Sequence, residues 1–220
     1  MIDIVQPFWK PKDWTSFDVV KKIRSATGIR KVGHAGTLDP FAEGILLICL
    51  GAATKRSSQL MALEKEYIAT VKLGSTTDTL DPTGDISASA PVPDLTQDEI
   101  TPVLTRFTGT VRQIPPMFSA LKVDGTRLYK LARAGKSIPR KPRLVQIHTI
   151  RLLDWRPPDE LEIQVTCGKG TYIRSLAADV AQDLQTVGYV IRLTRTRVGA
   201  YGPEDALRLE QLASWTPFIA

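Results

Sequence analysis

Cysteine is nearly missing from this chain: Cys49 and Cys167 are the only two, and both lie inside apolar segments. Two thiols cannot build a disulfide-rich scaffold or a CxxC-paired metal site, and buried reduced thiols fit a cytoplasmic protein. Histidine is equally scarce. His34 and His148 stand far apart, which leaves no ligand spacing for zinc, so no metal is expected. Long apolar runs are also lacking. The longest, Ile45–Leu50, falls far short of the ~20 residues of a membrane span, so no membrane association is expected. The opening MIDIVQPFWK has no basic stretch followed by an apolar one, which predicts no secretory signal. There is no GxxxxGK[ST] loop to cradle a nucleotide, no GxSxG elbow and no Ser-His-Asp order. Internal repeats and low-complexity linkers are absent as well.

What is present describes a globular protein. The 220 residues are 43% hydrophobic and 24% charged, enough for one large domain or two small ones. A chain of this size hides roughly 70% of its unfolded surface. Lys and Arg number 29 against 23 Asp and Glu, a net charge of +6. That excess is local. Residues 122–151 hold nine basic residues (Lys122, Arg127, Lys130, Arg133, Lys136, Arg140, Lys141, Arg143, Arg151) and one acid, Asp124. The rest of the chain is −2. A concentrated patch fits a polyanion better than a diffuse excess does, and nucleic acid is the best match. A solvated basic loop remains the plainer reading.

Periodicity predicts mixed helices and strands. Residues 2–9 read as a strand, and Thr15-Ser16-Phe17-Asp18 opens a helix with Val19, Val20, Ile23 and Ala26 inward and Gly28 as its stop. Residues 30–44 read as a loop, 45–50 as a buried run, 67–73 as a strand and 74–94 as a long loop or irregular hairpin. Thr96-Gln97-Asp98-Glu99 is a capping box, although Pro102 suggests an alternative start at Thr101. Arg127–Ala134 is a short basic helix, while 145–155 and 161–167 are strands. Ile173, Leu176, Ala177, Val180, Ala181 and Leu184 share one helical face, and short strands follow at 189–193 and 195–201. Hairpin-like pairs with few βαβ units give an α+β fold.

The chemistry candidate is Gly33-His34-Ala35-Gly36-Thr37-Leu38-Asp39-Pro40-Phe41-Ala42-Glu43-Gly44. Its glycines allow tight turns and close ligand approach, and Pro40 biases Asp39 towards extended backbone. On those grounds alone, a plain turn carrying an aspartate remains open. The segment with Ile45-Leu46, however, resembles the G-H-[small]-G-[small]-L-D-P-x-A-x-G-x-L signature of the TruB family of pseudouridine synthases. Lys10-Pro11 with Thr15-Ser16, Lys65-Glu66-Tyr67, Leu73-Gly74 with Thr77-Asp78-Thr79, Gln113–Lys122 and Cys167–Arg174 resemble further motifs of that family, in the same order. Trp9 and Asp13 stand where the family often has Asp and Gly, and Phe118 replaces a frequent Tyr.

The resemblance implies the pseudouridine synthase catalytic fold, with a mixed, mostly antiparallel sheet flanked by helices. It implies isomerisation of one uridine in the TΨC loop (position 55) of tRNA, in the cytoplasm, with no cofactor and no protein partner, by a monomer that binds the T-arm stem-loop. Asp39 matches the catalytic aspartate and Arg174 the arginine expected to pair with it. His34 matches the residue that fills the space of the flipped base. Tyr67, Tyr172 and Leu193 match positions that contact the base, and each could otherwise be ordinary core. Residues 1–220 are expected to be a single catalytic domain with no C-terminal PUA-type domain. Within it, the segment near 122–143 aligns with an RNA-clamping insertion whose Lys122, Arg127, Lys130, Arg133, Arg140, Lys141 and Arg143 would meet phosphates. Two competing readings are a tRNA-folding chaperone without essential catalysis and a hydrolase using an acid pair. The second lacks a second motif carboxylate, since Glu43 is not part of the pattern.

Overall fold

The computed structural model describes residues 2–123 and 125–215, apart from the side chain of Lys122. The backbone divides into two compact units, Met1–Ile68 with Arg192–Ala220, and Ala69–Ile191. In the first, β1 (Asp3–Lys10) leads to α1 (Ser16–Thr27), β2 (Val32–His34) and β3 (Glu43–Gly51). Thr15 caps α1 reciprocally with Asp18, and Gly28 at φ 70° closes it as the sequence predicts. Val19, Val20 and Ile23 are buried, but Ala26 is exposed. Residue 26 lies about 300° around the helix from Ile23, at the margin of the apolar stripe. The 30–44 stretch is not all loop, because β2 pairs with β3 from Val32↔Leu50 to His34↔Ile48. β1 lies antiparallel on β3, from Asp3↔Gly51 to Lys10↔Gly44. Residues 45–50 of β3 are fully buried, and their side chains feed two clusters, one around Phe8 and α1 and one around Ala35 and Val198. Each such aliphatic side chain contributes roughly 1.5–3 kcal/mol. Beyond β3 come a 3-10 turn (Ala52–Arg56), α2 (Ser57–Ala62) and β4 (Lys65–Leu73), which passes into the second unit.

The second unit continues with the hairpin β5 (Ser75–Thr77) and β6 (Ile86–Ser89), then α3 (Gln97–Arg106) and β7 (Gly109–Gln113). α3 starts at the Thr96 capping box and not at Thr101. The cap satisfies the first orphan N–H groups, whereas the exposed Pro102 only deprives Asp98 of one donor on the solvent side. β7 escaped the sequence reading because its pattern, Gly-Thr-Val-Arg-Gln, buries only Gln113. The two-residue strands β8 (Lys122–Val123) and β9 (Thr126–Arg127) precede α4 (Leu128–Arg133). β10 (Arg143–Arg156) pairs antiparallel with both β7 and β11 (Glu160–Cys167), and α5 (Ile173–Asp183) leads into β12 (Gly188–Val198), which returns to the first unit. β12 is one strand where the sequence suggested two. Its buried positions change phase, Val190 then Leu193 and Arg195 then Val198, and this breaks the alternation without breaking the backbone.

In the first unit the strand order is β1-β3-β12-β4, with β2 on β3; in the second it is β12-β4-β11-β10-β7. β3 and β12 run parallel, through Thr194↔Glu43 and Arg195↔Gly44, so the sheet is mixed but mostly antiparallel, with flanking helices, an α+β fold. The parallel approach explains one motif glycine. Gly44 has φ 115°, and a Cβ there would overlap the Arg195 backbone. Both cysteines are buried and free, and burial pushes the Cys49 thiol pKa up.

Candidate active site

In the first unit the Asp39 loop bridges β2 and β3, and side chains from three other segments grip its backbone. Lys10, at the end of β1, is fully buried and its ammonium donates to the carbonyls of Pro11 (2.8 Å), Trp14 (2.6 Å) and Pro40 (3.2 Å). The Pro40 carbonyl also accepts from the Asp13 amide at 2.8 Å. Asp13 has φ 65°, a left-handed conformation that favours glycine. Ser16, in the first turn of α1, donates to the Leu38 carbonyl (3.2 Å) and accepts from its amide (2.9 Å). Arg195, 1% exposed on β12, donates to Ile45 (2.7 Å), Thr37 (3.3 Å) and Gly36 (3.2 Å) carbonyls. The backbone is therefore held at residues 36, 37, 38 and 40, on both sides of Asp39.

Asp39 itself is half-buried beside these cations. Burial lowers the Lys10 pKa to about 8, while the Asp39 charge works in the opposite direction. Because the unfolded lysine binds its proton more tightly, Lys10 opposes folding below pH 8 and does so less as pH rises towards 10.5. The stability of the wild type relative to Lys10→Met is thus expected to rise by about 2 kcal/mol from pH 8 to pH 10 in paired denaturant titrations. A pH-independent gap would show that Lys10 keeps an ordinary proton affinity. His34 is half-buried, and burial and then Arg195 lower its pKa, against a smaller opposing effect of the Gly36 backbone, so the ring is neutral at pH 7. Tyr67 on β4 and Leu193 on β12 are 8% and 6% exposed.

In the second unit, three of the motifs converge on one residue. Arg174, 3% exposed in the first turn of α5, pairs with Asp81 at 3.1 Å and donates to the carbonyls of Thr79 (2.7 Å) and Phe118 (2.8 Å). Asp81 is oriented by the Thr79 hydroxyl (2.8 Å) and by the hydroxyl and amide of Thr83. Gln113 makes a two-way bond with the backbone of Tyr172, at 3.0 and 2.8 Å, and Ser175 donates to Ile114. The Arg143 guanidinium stacks 4.6 Å from the Tyr172 ring centre and donates to the Gly170 carbonyl.

The basic candidates separate by exposure. Arg127, Lys130, Arg133 and Lys141 are exposed on and around α4. Arg140 reaches back to the Pro115 carbonyl and Arg143 is engaged on Tyr172, so both are half-buried. Lys122 is in β8, with its side chain outside the described residues.

Lys10, Ser16, Asp81, Gln113 and Arg195 received no role from the sequence. Arg195 carried no clear signal, because β12 also holds the exposed Arg192 and Arg197 and its change of phase hides which of the three is buried. Arg195→Lys keeps the charge but loses the planar fork that serves three carbonyls. Its kcat is expected to fall more than about tenfold, or ~1.4 kcal/mol, with KM nearly unchanged. Full activity of the lysine variant would show that charge alone holds the loop.

A carboxylate held on a braced glycine-rich loop, in a chain with a concentrated basic segment, is an arrangement that can act on nucleic acid. Residues 24–173 match the family model "TruB family pseudouridylate synthase (N terminal domain)". The chain is 46% identical over 214 residues to the tRNA pseudouridine synthase B of Phocaeicola vulgatus, covering 94% of this chain and 91% of that protein. It is 47% identical over 204 residues to the tRNA pseudouridine synthase B of Francisella tularensis subsp. novicida, covering 92% of this chain and 67% of that one. Among solved structures it resembles a chain of a Cbf5-Nop10-Gar1 complex (TM-score 0.75, 28% identity, 96% of this chain and 53% of that one). It also resembles a chain of an H/ACA RNP bound to a substrate RNA containing 2'-deoxyuridine (TM-score 0.71, 25% identity, 96% and 52%). It spans about half the length of those two solved chains. The chain belongs to the TruB family of pseudouridylate synthases.

Proposed function

We propose that this protein converts uridine to pseudouridine in tRNA, at position 55 of the TΨC loop, with Asp39 as the catalytic carboxylate. The glycosidic C1′–N1 bond breaks, the base rotates, and C1′ bonds to C5. The C5 proton leaves and N1 gains one, so mass is unchanged and no redox partner is needed. The observation that carries the reading is the brace of Lys10, Ser16 and Arg195, which holds the backbone on both sides of Asp39 and so fixes where its carboxylate sits.

Uridine in a folded loop must leave its stack, at a cost of roughly a few kcal/mol. We assign His34, flat and uncharged at neutral pH, to the vacated space, and Tyr67 and Leu193 to the extruded base. Stacking on an aromatic ring returns about 1–3 kcal/mol. Tyr172 and Arg174 are assigned the aromatic and arginine roles that the motif resemblance implies. Arg127, Lys130, Arg133 and Lys141 form the exposed basic face for phosphates, and the segment around α4 acts as the clamping insertion.

The test is incubation with unmodified tRNA, followed by carbodiimide treatment and primer extension. One new stop in the TΨC loop, with no change in mass, is the expected result. Release of free uracil, or no stop in any tRNA, would overturn the reading.

A further inference from the structure

The Lys10 brace holds in full only while its amine is charged. An ammonium has three N–H bonds, and here it serves three carbonyls, Pro11, Trp14 and Pro40. The neutral amine has two, so loss of the proton releases one of them. Pro40, which follows Asp39, is the longest of the three at 3.2 Å. Burial works against that proton and brings the Lys10 pKa down to about 8, so the neighbouring charges decide how far the brace survives above neutral pH. Four charged groups face the ammonium. Asp39 on the loop, Asp13 in the turn after β1 and Glu43 at the start of β3 favour its charge, and Arg195 on β12 opposes it. Asp39 is the reacting carboxylate, so its charge is engaged in the chemistry. That leaves Asp13 and Glu43 as the two acids whose charge stays constant.

Neither acid has another task that accounts for it. Asp13 holds φ 65°, where a side chain is a burden, and the bond it supplies to the Pro40 carbonyl comes from its backbone amide. A glycine would make that bond as well. Among the described residues, the Asp13 carboxylate forms no hydrogen bond and no ion pair. Glu43 is fixed by the opposite strand. Trp9 pairs with Ile45, which puts Glu43 on the diagonal of the same sheet face, and the Trp9 indole donates to the Glu43 carboxylate at 3.4 Å. The ring is held in turn by the Arg208 guanidinium, 4.4 Å from its centre, and the Trp9 amide donates to the Leu207 carbonyl at 2.9 Å. The two acids therefore flank the β1–β3 pair where Lys10 ends β1, and the fully buried Lys10 is poorly screened from both.

We propose that Asp13 and Glu43 are positioning residues, a pair of non-reacting carboxylates that keep the Lys10 ammonium charged and, through it, hold the Pro40 side of the catalytic loop. The proposal rests on the reading of Asp39 as the catalytic carboxylate and adds two residues to it. The test is the pH profile of kcat and KM for pseudouridine formation in unmodified tRNA, from pH 6 to pH 10, with circular dichroism and Tm at each pH. Asp13→Asn/Glu43→Gln keeps both shapes and removes both charges. Its alkaline limb of kcat is expected about one pH unit below that of the wild type, so that kcat falls about tenfold on that limb, with kcat at pH 6.5 and KM throughout within about twofold. Asp13→Gly relieves the left-handed backbone, so its Tm should hold or rise while its limb still moves down. Glu43→Asp in an otherwise unchanged chain keeps the charge and should leave the limb in place. In a Lys10→Met chain the double substitution should move no limb, and the glycine and aspartate variants carry the test if that chain does not fold. An unmoved limb, an equal loss of kcat at every pH, or a fall in KM with kcat unchanged would each overturn the proposal, the last by placing the acids against RNA phosphates. If the wild type forms no pseudouridine, or Asp39→Asn retains full activity, the functional reading fails first. If that reading holds and the double variant follows the wild-type profile, these two assignments alone fail.

Discussion

Asp39→Asn is expected to abolish pseudouridine formation, with kcat down by at least about 10³-fold, more than ~4 kcal/mol, and tRNA affinity within an order of magnitude of wild type. The backbone on both sides of Asp39 is held by other residues. Gly36 and Thr37 are held by Arg195, Leu38 by Ser16, and Pro40 by Lys10 and the Asp13 amide. Asparagine is nearly isosteric, so the brace should survive and only the charge is lost. Losing it also removes the nearby negative charge that helps Lys10 keep its proton, so the Lys10 pKa should fall further. Single-turnover assays on unmodified tRNA and a binding isotherm separate the two effects. Pseudouridine formation by the asparagine variant at a rate comparable to wild type would remove Asp39 from the catalytic role. A collapse of Tm in the same variant would instead mean that the carboxylate holds the loop together.

The second large effect is expected at Arg174. The residue is 3% exposed, and its guanidinium meets three acceptors in different directions, the Asp81 carboxylate and the carbonyls of Thr79 and Phe118. A planar fork with five donors can serve all three and stays charged in a dry site. Lysine offers one compact point charge on a different length of stem. It would leave at least one buried acceptor unpaired, at about 1–3 kcal/mol each. Arg174→Lys is therefore expected to lose more than tenfold in kcat, beyond ~1.4 kcal/mol, and to approach Arg174→Ala. The alanine variant leaves Asp81 buried without its cation, which typically costs 3–5 kcal/mol and lowers Tm strongly, so kcat is to be read per folded molecule. Asp81→Asn is the control for the network: it keeps the shape and removes the partner's charge. If Arg174→Lys keeps more than a tenth of wild-type kcat, one positive charge suffices there and the fork has no part in the reaction.

These two sites show how differently the sequence and the tertiary structure contribute. The capping box at Thr15 and Asp18, the Gly28 stop, the Thr96 cap and the alternation of β4 and β11 are local. Each depends on residues within a few positions of one another, so the chain alone determined them. The same holds for the left-handed turn at Gly36 and for the uneven placement of charge. The motif residues Asp39, His34 and Arg174 could be named because their types and order are linear information.

What only the tertiary structure decided is which distant groups those residues meet. Arg195 grips the loop at Gly36 and Thr37 from more than 150 positions away, and Gly44 is required because β12 passes against it. Asp81 reaches Arg174, and Gln113 reaches Tyr172, across several intervening helices and strands. Arg140 and Arg143 read as free cations in a basic run, yet the fold turns them onto Pro115 and Tyr172. The physical reason is common to all of these. Caps, turns and alternation are set by dihedral preferences and hydrogen bonds between near neighbours, whereas a buried cation finds its acceptors only after strands far apart in sequence have paired.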